Sequence, residues 1–338
     1  MKPREIAFQE LQQPLTVEVG EHSENLITAW DEFVWASNNG TLFHTRRFLN
    51  YHPAGRFQDA SLVFKKDEKW LAVLPAVSKQ EGREKKLVSH AGASFGGPVF
   101  HSSLSFKDAF RIVQSLASYA ESSGFTQIVI TLPPQIYYHR PSNYFDFALL
   151  DFGFTYLKRE VSSVIPLDFA EEDTLLVFRP ESRRAVRKAM KLEVQVKESD
   201  EFSAFYSILE NNLKLRHNVR PTHSLEELLL LKSLFPERIK LFAAFAKEQM
   251  VAGAVIFVCN SKAALAFYIS HNEALQHYRG VNLLFYEVIR WAIRQHLKFL
   301  DFGIFTVNMK PNWGLARFKE NFGAQGVFRD TLVKLIAY

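Results

Sequence analysis

Cysteine is almost absent from this chain: Cys259 is the single one among 338 residues. One cysteine excludes an intrachain disulfide. Because Cys259 follows the apolar run Val255 to Val258, we expect its thiol to be buried and inert. A chain with a single cysteine also suits a reducing, cytoplasmic environment. The amino-terminal sequence lacks the apolar segment of a secretory signal peptide. Nowhere do about 18 apolar residues follow one another, so the sequence predicts no membrane-spanning helix.

The motifs of several enzyme classes are missing as well. The sequence contains no H-E-x-x-H or Cys/His metal spacing, no G-x-S-x-G elbow and no cysteine in an activated setting. Its eleven histidines are scattered along the chain. We therefore expect neither a metal nor a covalent enzyme intermediate, and no permanently bound cofactor.

Length and composition indicate two folded domains. At 338 residues the chain exceeds what one core usually holds, and a hydrophobic fraction of 47% with 31 Phe is enough for two cores. The net charge of +5 favours anionic partners such as nucleotides, RNA or membrane surfaces without selecting one of them.

The clearest pattern lies between Ala263 and Gly323. A short apolar run, Ala263 to Ile269, is typical of a strand. Apolar residues then recur at i, i+3, i+4 and i+7 from Val281 to Leu297, which predicts an amphipathic helix. Phe299 to Phe302 predicts a buried strand. The order strand, loop, helix, strand is typical of a crossover between parallel strands.

Such a crossover has a ligand-facing edge at the amino end of its helix. Free N–H groups and a partial positive charge lie there. We therefore expect function around residues 277–282 and just after Gly303.

The remaining elements follow from the same periodicities. Helices are predicted over residues 25–36, 42–51, 107–123, 143–150, 171–178, 181–192, 200–217 and 224–235. Strands are predicted over residues 15–19, 61–64, 70–77, 126–132, 156–167, 193–196, 239–246 and 251–258, and the charged turn 65–69 indicates a hairpin.

Two motifs near the carboxyl end carry a family resemblance. Asp301-Phe302-Gly303 is followed by the ten residues from Gly314 to Gly323, GLARFKENFG. Their order and spacing resemble the C-terminal signature of the FemAB-like branch of the GNAT acyltransferase superfamily. The resemblance implies an α/β fold of two tandem GNAT-like domains, each with a mixed, mostly antiparallel sheet flanked by helices. We expect the domains to be 1–160 and 161–338, with the active cleft in the second.

The predicted helix 181–192 is strongly basic. Arg183, Arg184, Arg187, Lys188 and Lys191 lie on adjacent stripes of one side, where like charges repel unless an anion is near. FemAB-like proteins are similar in carrying an Arg/Lys-rich helix at this place. Two interpretations stay open, a solvated helix face and contact with phosphate or RNA; the second makes Arg183, Arg184 and Lys188 substrate-binding candidates.

Two further segments contain candidate binding residues. The segment from Arg216 to Pro221, which joins two predicted helices, contains the candidates Arg216 and Arg220. Loops on a rigid scaffold are common sites of substrate contact, but the sequence slightly favours the alternative, an ordinary polar connection. Tyr268, in the aromatic strand before the crossover helix, is a further substrate-binding candidate.

The loop before the crossover helix runs His277-Tyr278-Arg279-Gly280-Val281-Asn282. GNAT enzymes hold the pyrophosphate of acyl-CoA here with a Q/R-x-x-G-x-G/A loop. Gly280 fits the first glycine, whereas His277 and Asn282 replace the residues expected at the two ends. We take Arg279 and Asn282 as substrate-binding candidates; the alternative for Asn282 is an ordinary residue of the first helical turn.

Lys319 is the catalytic candidate. In aminoacyl-transferring members of the FemAB family, the lysine of the Phe-Lys pair is associated with the reactive end of the acyl donor, which implies this role for Lys319 and substrate contact for Phe318. An ammonium near the carbonyl stabilises a developing oxyanion or holds an RNA phosphate. The alternative is a surface lysine on a helix that packs through its apolar residues.

The sequence thus predicts an acyl- or aminoacyl-transferase that moves an activated acyl group onto an amine. The donor is acyl-CoA or aminoacyl-tRNA, so tRNA is a candidate partner and DNA is not. The acceptor is a small molecule or a cell-envelope or polysaccharide precursor. Such transfer requires positioning and proton removal but no covalent intermediate. The alternative is a non-catalytic GNAT-fold module that binds a nucleotide-linked sugar or RNA; the oligomeric state is left open.

Overall fold

A computed structural model describes residues 15–19, 24–217 and 220–336. The chain divides into two compact units, one formed by Met1–Arg159 with Arg329–Tyr338 and the other by Glu160–Phe328. In the described part of the chain, no helix has the length and apolar character that crossing a membrane requires.

The elements are as follows in chain order. The α-helices are α1 (Glu24–Ala36), α2 (Arg46–Leu49), α3 (Phe106–Ser122), α4 (Tyr144–Asp151), α5 (Thr174–Val177), α6 (Pro180–Lys191), α7 (Phe202–His217), α8 (Leu225–Leu234), α9 (Gly280–Arg294) and α10 (Trp313–Glu320). The strands are β1 (Thr16–Val19), β2 (Gln58–Asp59), β3 (Leu62–Lys66), β4 (Lys69–Leu74), β5 (Val77–Glu81), β6 (Glu84–Ser89), β7 (Val99–Phe100), β8 (Gln127–Thr131), β9 (Thr155–Pro166), β10 (Gln195–Ser199), β11 (Ile239–Ala246), β12 (Gln249–Val258), β13 (Ala263–His271), β14 (Phe299–Ile304), β15 (Thr306–Val307), β16 (Lys310–Pro311) and β17 (Gln325–Leu335).

The first unit contains two groups of paired strands. One is antiparallel, in the order β1-β3-β4-β7; the other has the order β17-β8-β6-β5-β2, in which only β6 and β8 run parallel among the described pairs. The predicted hairpin is confirmed as β3–β4, and its turn places Asp67 and Glu68 at positive φ. Helix α3 begins after Ser105, whose side chain accepts the Asp108 N–H at 3.1 Å, and it packs its apolar side on this unit's core.

A buried polar cluster lies in the first unit. His44 is fully buried; its Nδ1 accepts the Thr41 N–H at 3.1 Å, and its Nε2 lies 2.9 Å from the carbonyl oxygen of Gly96. A carbonyl only accepts, so the ring is the neutral tautomer with hydrogen on Nε2. Burial lowers the pKa of His44 to about 4, and burial likewise lowers the pKa of His90 to about 4.

The second unit is built on the strand order β10-β11-β12-β13-β14-β9. Only β13 and β14 run parallel among these pairs, and α9 connects them, which confirms the predicted crossover. Helix α9 buries its apolar stripe against the sheet and against residues of α6. The described residues of β9 in this unit pair with β14 at the opposite edge from β10.

Several predicted elements were wrong in extent. The predicted helix 42–51 consists of a 3-10 turn, Leu42–His44, and the short α2, because Thr45 is extended and caps α2. The predicted strand 70–77 ends at Leu74 in β4, since the following proline has no N–H for a ladder, and a separate hairpin, β5–β6, comes after it.

Strand β10 begins two residues later than predicted, because Glu193 at positive φ belongs to the turn after α6. Strand β17 was not predicted at all.

Candidate functional site

The parallel ladder between β13 and β14 is short. It joins three residue pairs, from Ala263–Phe299 to Leu265–Asp301. Beyond Leu265, β13 continues in its ladder with β12 as far as His271, while the described residues show no further pairing between β13 and β14. At this edge of the sheet, just where the crossover helix α9 begins, β13 is therefore no longer in a ladder with β14.

A cleft of about 570 Å³ lies at this edge. Its floor comes from β12 and β13, one wall from the turn before α9 and the start of α9, and the other wall from the start of α10. The lining residues are Val251, Ile269, His271, Leu275, Gln276, Arg279, Gly280, Val281, Asn282, Asn312, Gly314, Leu315 and Phe318. Two segments singled out from the sequence, the loop before α9 and the C-terminal motif, therefore meet at this cleft. The loop contributes Arg279 and Asn282, and the motif contributes Phe318.

The amino end of α9 opens into this cleft. Arg279 occupies the N-cap position in the left-handed conformation, with φ 58°, and its side chain does not cap the helix. The first N–H groups of a helix have no intrahelical partner and carry partial positive charge. Asn282 lines the cleft and donates from Nδ2 to Ser182 Oγ of α6 at 3.3 Å. The arrangement favours an anionic group at the start of α9.

Gly280 lets α9 approach the sheet closely. A Cβ atom at this position would lie 2.6 Å from Val251 Cγ2 and 3.4 Å from the Cβ of Ala252. The glycine predicted to match the first one of a CoA loop is therefore required by packing against β12.

A second depression of about 480 Å³ adjoins the cleft and shares Arg279, Asn282 and Phe318 with it. Arg184 and Lys188 of α6 line this depression; both are exposed, and no ion pair joins either to a carboxylate within the described residues. We call the two depressions together the basic cleft. Cationic side chains without internal partners attract phosphate groups.

Helix α10 is held beside α6 by two ion pairs. Arg317 Nη2 lies 3.1 Å from Glu181 Oε1, and Arg179 Nη2 lies 2.7 Å from Glu320 Oε2. These exposed pairs contribute little stability individually, about 0–1 kcal/mol. They fix the wall of the basic cleft that contains Phe318.

Lys319 does not line the cleft. Its side chain is 2% exposed, and Nζ donates hydrogen bonds of 2.7 Å to the carbonyl oxygens of Gly303 and Ile304 at the end of β14. The interpretation as a surface lysine is thereby excluded. The catalytic role stays a prediction, and the observed contacts are those of a residue that positions the end of β14.

Three other candidates, Arg183, Arg220 and Tyr268, do not line the cleft. Arg183 is half-buried on α6, and Arg220 is exposed before α8. Tyr268 is buried on β13, where its hydroxyl accepts the His223 N–H at 3.0 Å and burial raises its pKa to about 12. Arg216 falls in α7, but its side chain lies outside the described residues.

Sequence reasoning missed His271, which lines the cleft at the end of β13. Its position in the sequence could have identified it, because His271 is a polar residue at the carboxyl end of a predicted strand, just before the ligand-facing loop. Among the residues that the structure describes, no group of three or more His, Cys, Asp or Glu side chains is arranged to hold a metal ion.

Comparisons with known proteins identify the type of domain in the second unit. Residues 178–320 match the family model of an acetyltransferase (GNAT) domain. A comparison with curated protein sequences found no match.

Solved structures match over nearly the whole chain. FemX has a TM-score of 0.71 at 12% identity and covers 91% of this chain and 96% of its own. L-PGS from Bacillus licheniformis has a TM-score of 0.55 at 12% identity, covering 94% and 93%. A tandem GNAT protein from the clavulanic acid biosynthesis pathway has a TM-score of 0.54 at 9% identity, covering 96% and 99%. The chain thus has the mixed α/β fold of tandem GNAT proteins, and the predicted resemblance to FemAB-like proteins is confirmed in fold.

Proposed function

We propose that the second unit transfers an activated acyl or aminoacyl group from a phosphate-bearing donor onto an amine. One observation carries the proposal: the uncapped amino end of α9 and three cations, Arg184, Lys188 and Arg279, border one cleft at the edge where β13 leaves β14. The N–H groups and cations bind phosphate, and the strand edge where β13 leaves β14 borders the acyl carbonyl.

The donor is an acyl-CoA or an aminoacyl-tRNA, since both join a phosphate-bearing carrier to an activated carbonyl. The match to an acetyltransferase (GNAT) domain supports the first. The basic face of α6 supports the second, because RNA presents many phosphates to a cationic surface. Asn282 supports it as well, because its side chain replaces the glycine or alanine of a CoA loop. Either donor is made in the cytoplasm, which places the reaction there.

Within this proposal the predicted site residues take different roles. Arg184, Lys188 and Arg279 bind phosphate, Asn282 and Phe318 border the donor, and Lys319 positions the end of β14. The acceptor is an amine on a small molecule or on a cell-envelope precursor.

A ligand screen tests the function. Acetyl-CoA, CoA, alanyl-tRNA, uncharged tRNA and UDP-N-acetylglucosamine are added separately, and melting temperature is measured because a true ligand stabilises the folded state by mass action. Product formation with lysine as the amine acceptor is then measured for each donor. Stabilisation with turnover is expected for one donor class. Stabilisation by uncharged tRNA or UDP-N-acetylglucosamine without turnover favours the non-catalytic alternative, and a chain that responds to none of the five contradicts the proposal.

A further inference from the structure

Transfer to an amine needs a group that accepts a proton, because amines are protonated near neutral pH and only the free base attacks a carbonyl. Of the residues lining the 570 Å³ cleft, only His271 and Arg279 carry ionisable side chains. A guanidinium does not give up its proton in proteins, so it cannot serve as a base. An imidazole is the side chain that exchanges protons near neutral pH.

The backbone at His271 is fixed. The residue pairs with Ala252 at the end of the β12–β13 ladder, and its carbonyl oxygen accepts a hydrogen bond of 2.6 Å from Asn212 Nδ2 of α7. The same Nδ2 donates to Ser270 Oγ at 2.8 Å. A base held in this way keeps its position while substrates enter and leave.

A carboxylate lies close to the imidazole. The Nε2 atom of His271 is 3.8 Å from Glu273 Oε2, and the two side chains are 23% and 35% exposed. A negative charge at this distance stabilises the imidazolium that forms when the base takes up a proton. The other charged group on this side of the cleft is Arg279, whereas the opposite wall, with Asn312, Leu315 and Phe318, is uncharged.

Resting on the function proposed above, we infer that His271 is the general base of the transfer, assisted by Glu273. The imidazole takes one proton from the ammonium group of the acceptor. The free amine nitrogen then attacks the acyl carbon, so that a C–N bond forms and the C–S bond of a thioester or the C–O bond of an aminoacyl ester breaks. The second nitrogen proton goes to the departing sulfur or oxygen, and His271 releases its proton to water.

Kinetics of four proteins test this role: the wild type, His271→Gln, Glu273→Gln and the control His296→Asn, an exposed histidine at the far end of α9. Acetyl-CoA and alanyl-tRNA are the donor probes. Lysine is the acceptor that needs a base, and hydroxylamine is the acceptor that is already unprotonated at neutral pH.

We expect kcat/KM with lysine to fall by a factor of about 10²–10⁴ in His271→Gln. The acid limb of the wild-type pH profile should disappear in this variant, and added imidazole should restore part of the rate. With hydroxylamine the loss should be less than tenfold. Glu273→Gln should move the acid limb to lower pH, because the imidazolium loses its nearby anion.

The outcomes separate the two proposals. If the wild type transfers neither acyl group to either acceptor, the proposed function fails, and the role of His271 fails with it. If the wild type is active and His271→Gln keeps the rate and pH profile of His296→Asn, the base assignment alone is overturned. An equal loss with lysine and hydroxylamine also overturns it. Melting temperature and donor-induced stabilisation, measured for every variant, identify a loss due to misfolding, and Glu273→Gln then provides the deciding pH profile.

Discussion

The ammonium group of the buried Lys319 donates a hydrogen bond of 2.7 Å to the carbonyl oxygen of Gly303. Lys319→Met keeps the volume of the side chain but leaves this carbonyl and that of Ile304 without the donor. We expect a loss of about 1–3 kcal/mol in the free energy of unfolding, measured in urea. Lys310→Met, at an exposed position of β16, is the control and should change stability little.

The same pair of variants separates the two roles of this lysine. A positioning residue gives loss of stability together with loss of transfer. Unchanged stability with a large loss of turnover would instead indicate that the ammonium takes part in the chemistry.

If the basic cleft binds the phosphate of the donor, removing positive charges from α6 should weaken donor binding only where those charges line the cleft. Replacing Arg184 and Lys188 by Gln should weaken donor binding about tenfold or more, since each removes a charge-assisted contact. It should also reduce the dependence of binding on salt concentration. The double variant Arg187→Gln/Lys191→Gln removes the same charge from exposed positions of α6 that do not line the cleft. Equal weakening in both double variants, measured by fluorescence titration, would show that only net charge matters.

Close packing at the start of α9 predicts that Gly280→Ala destabilises the second unit. The added methyl group would lie 2.6 Å from Val251 Cγ2, and overpacking of this kind costs about 1–3 kcal/mol. Gly314→Ala is the matched control, because a Cβ there meets only Asn312 Oδ1, at an ordinary 3.6 Å, within α10. Calorimetric melting temperatures should fall for Gly280→Ala and stay within a degree or two of the wild type for Gly314→Ala. A similar melting temperature for both variants would contradict the packing argument.

The buried histidines of the first unit predict sensitivity to acid. The pKa values of His44 and His90 are lowered by burial to about 4, below the ordinary value of 6.5 that applies in the unfolded chain. Above pH 6.5 neither state is protonated at these rings, so stability is fully present. As the pH falls from 6.5 towards 4, the unfolded chain takes up protons that the folded chain does not, and stability decreases by roughly 1.4 kcal/mol per unit of pKa difference at each site.

Urea unfolding at pH 7.5 and at pH 5, monitored by hydrogen exchange of the first unit, measures this change in stability. The variant His44→Gln should be less stable at pH 7.5 but less dependent on pH. The exposed His101→Gln should behave as the wild type. A pH dependence that is identical in all three proteins would exclude the buried rings as its cause.

Local periodicity was sufficient to predict most of the second unit. The apolar stripe of α9 and the runs that became β11, β12 and β13 are long and regular, and tertiary packing agrees with their local preference. The hairpin β5–β6 was missed because its strand residues are mostly polar, as in Val77–Glu81. Strand β17 was missed because its apolar positions are too irregular to show alternation.

The site was predicted less completely than the fold. Arg279, Asn282 and Phe318 come together because the crossover topology fixes where the two motifs meet. The face of the sheet on which the Tyr268 side chain lies could not be predicted from the sequence. Side chains of a strand alternate between faces, and a register shift in the β12–β13 ladder just before Tyr268 interrupts this alternation. The contacts of Lys319 depend on where a side chain from α10 meets the end of β14, which spacing in the sequence does not reveal.

The first unit is assembled from both ends of the chain, because Thr331 to Leu335 of β17 pair with β8. During translation, the whole of the second unit is therefore synthesised before the strand that completes the first unit. Translation delivers domains in order, and here the unit started first is the one completed last. Until β17 has been synthesised, the edge of β8 that it later covers is open to pairing with other strands. We therefore expect chaperones that bind nascent chains to act at this edge.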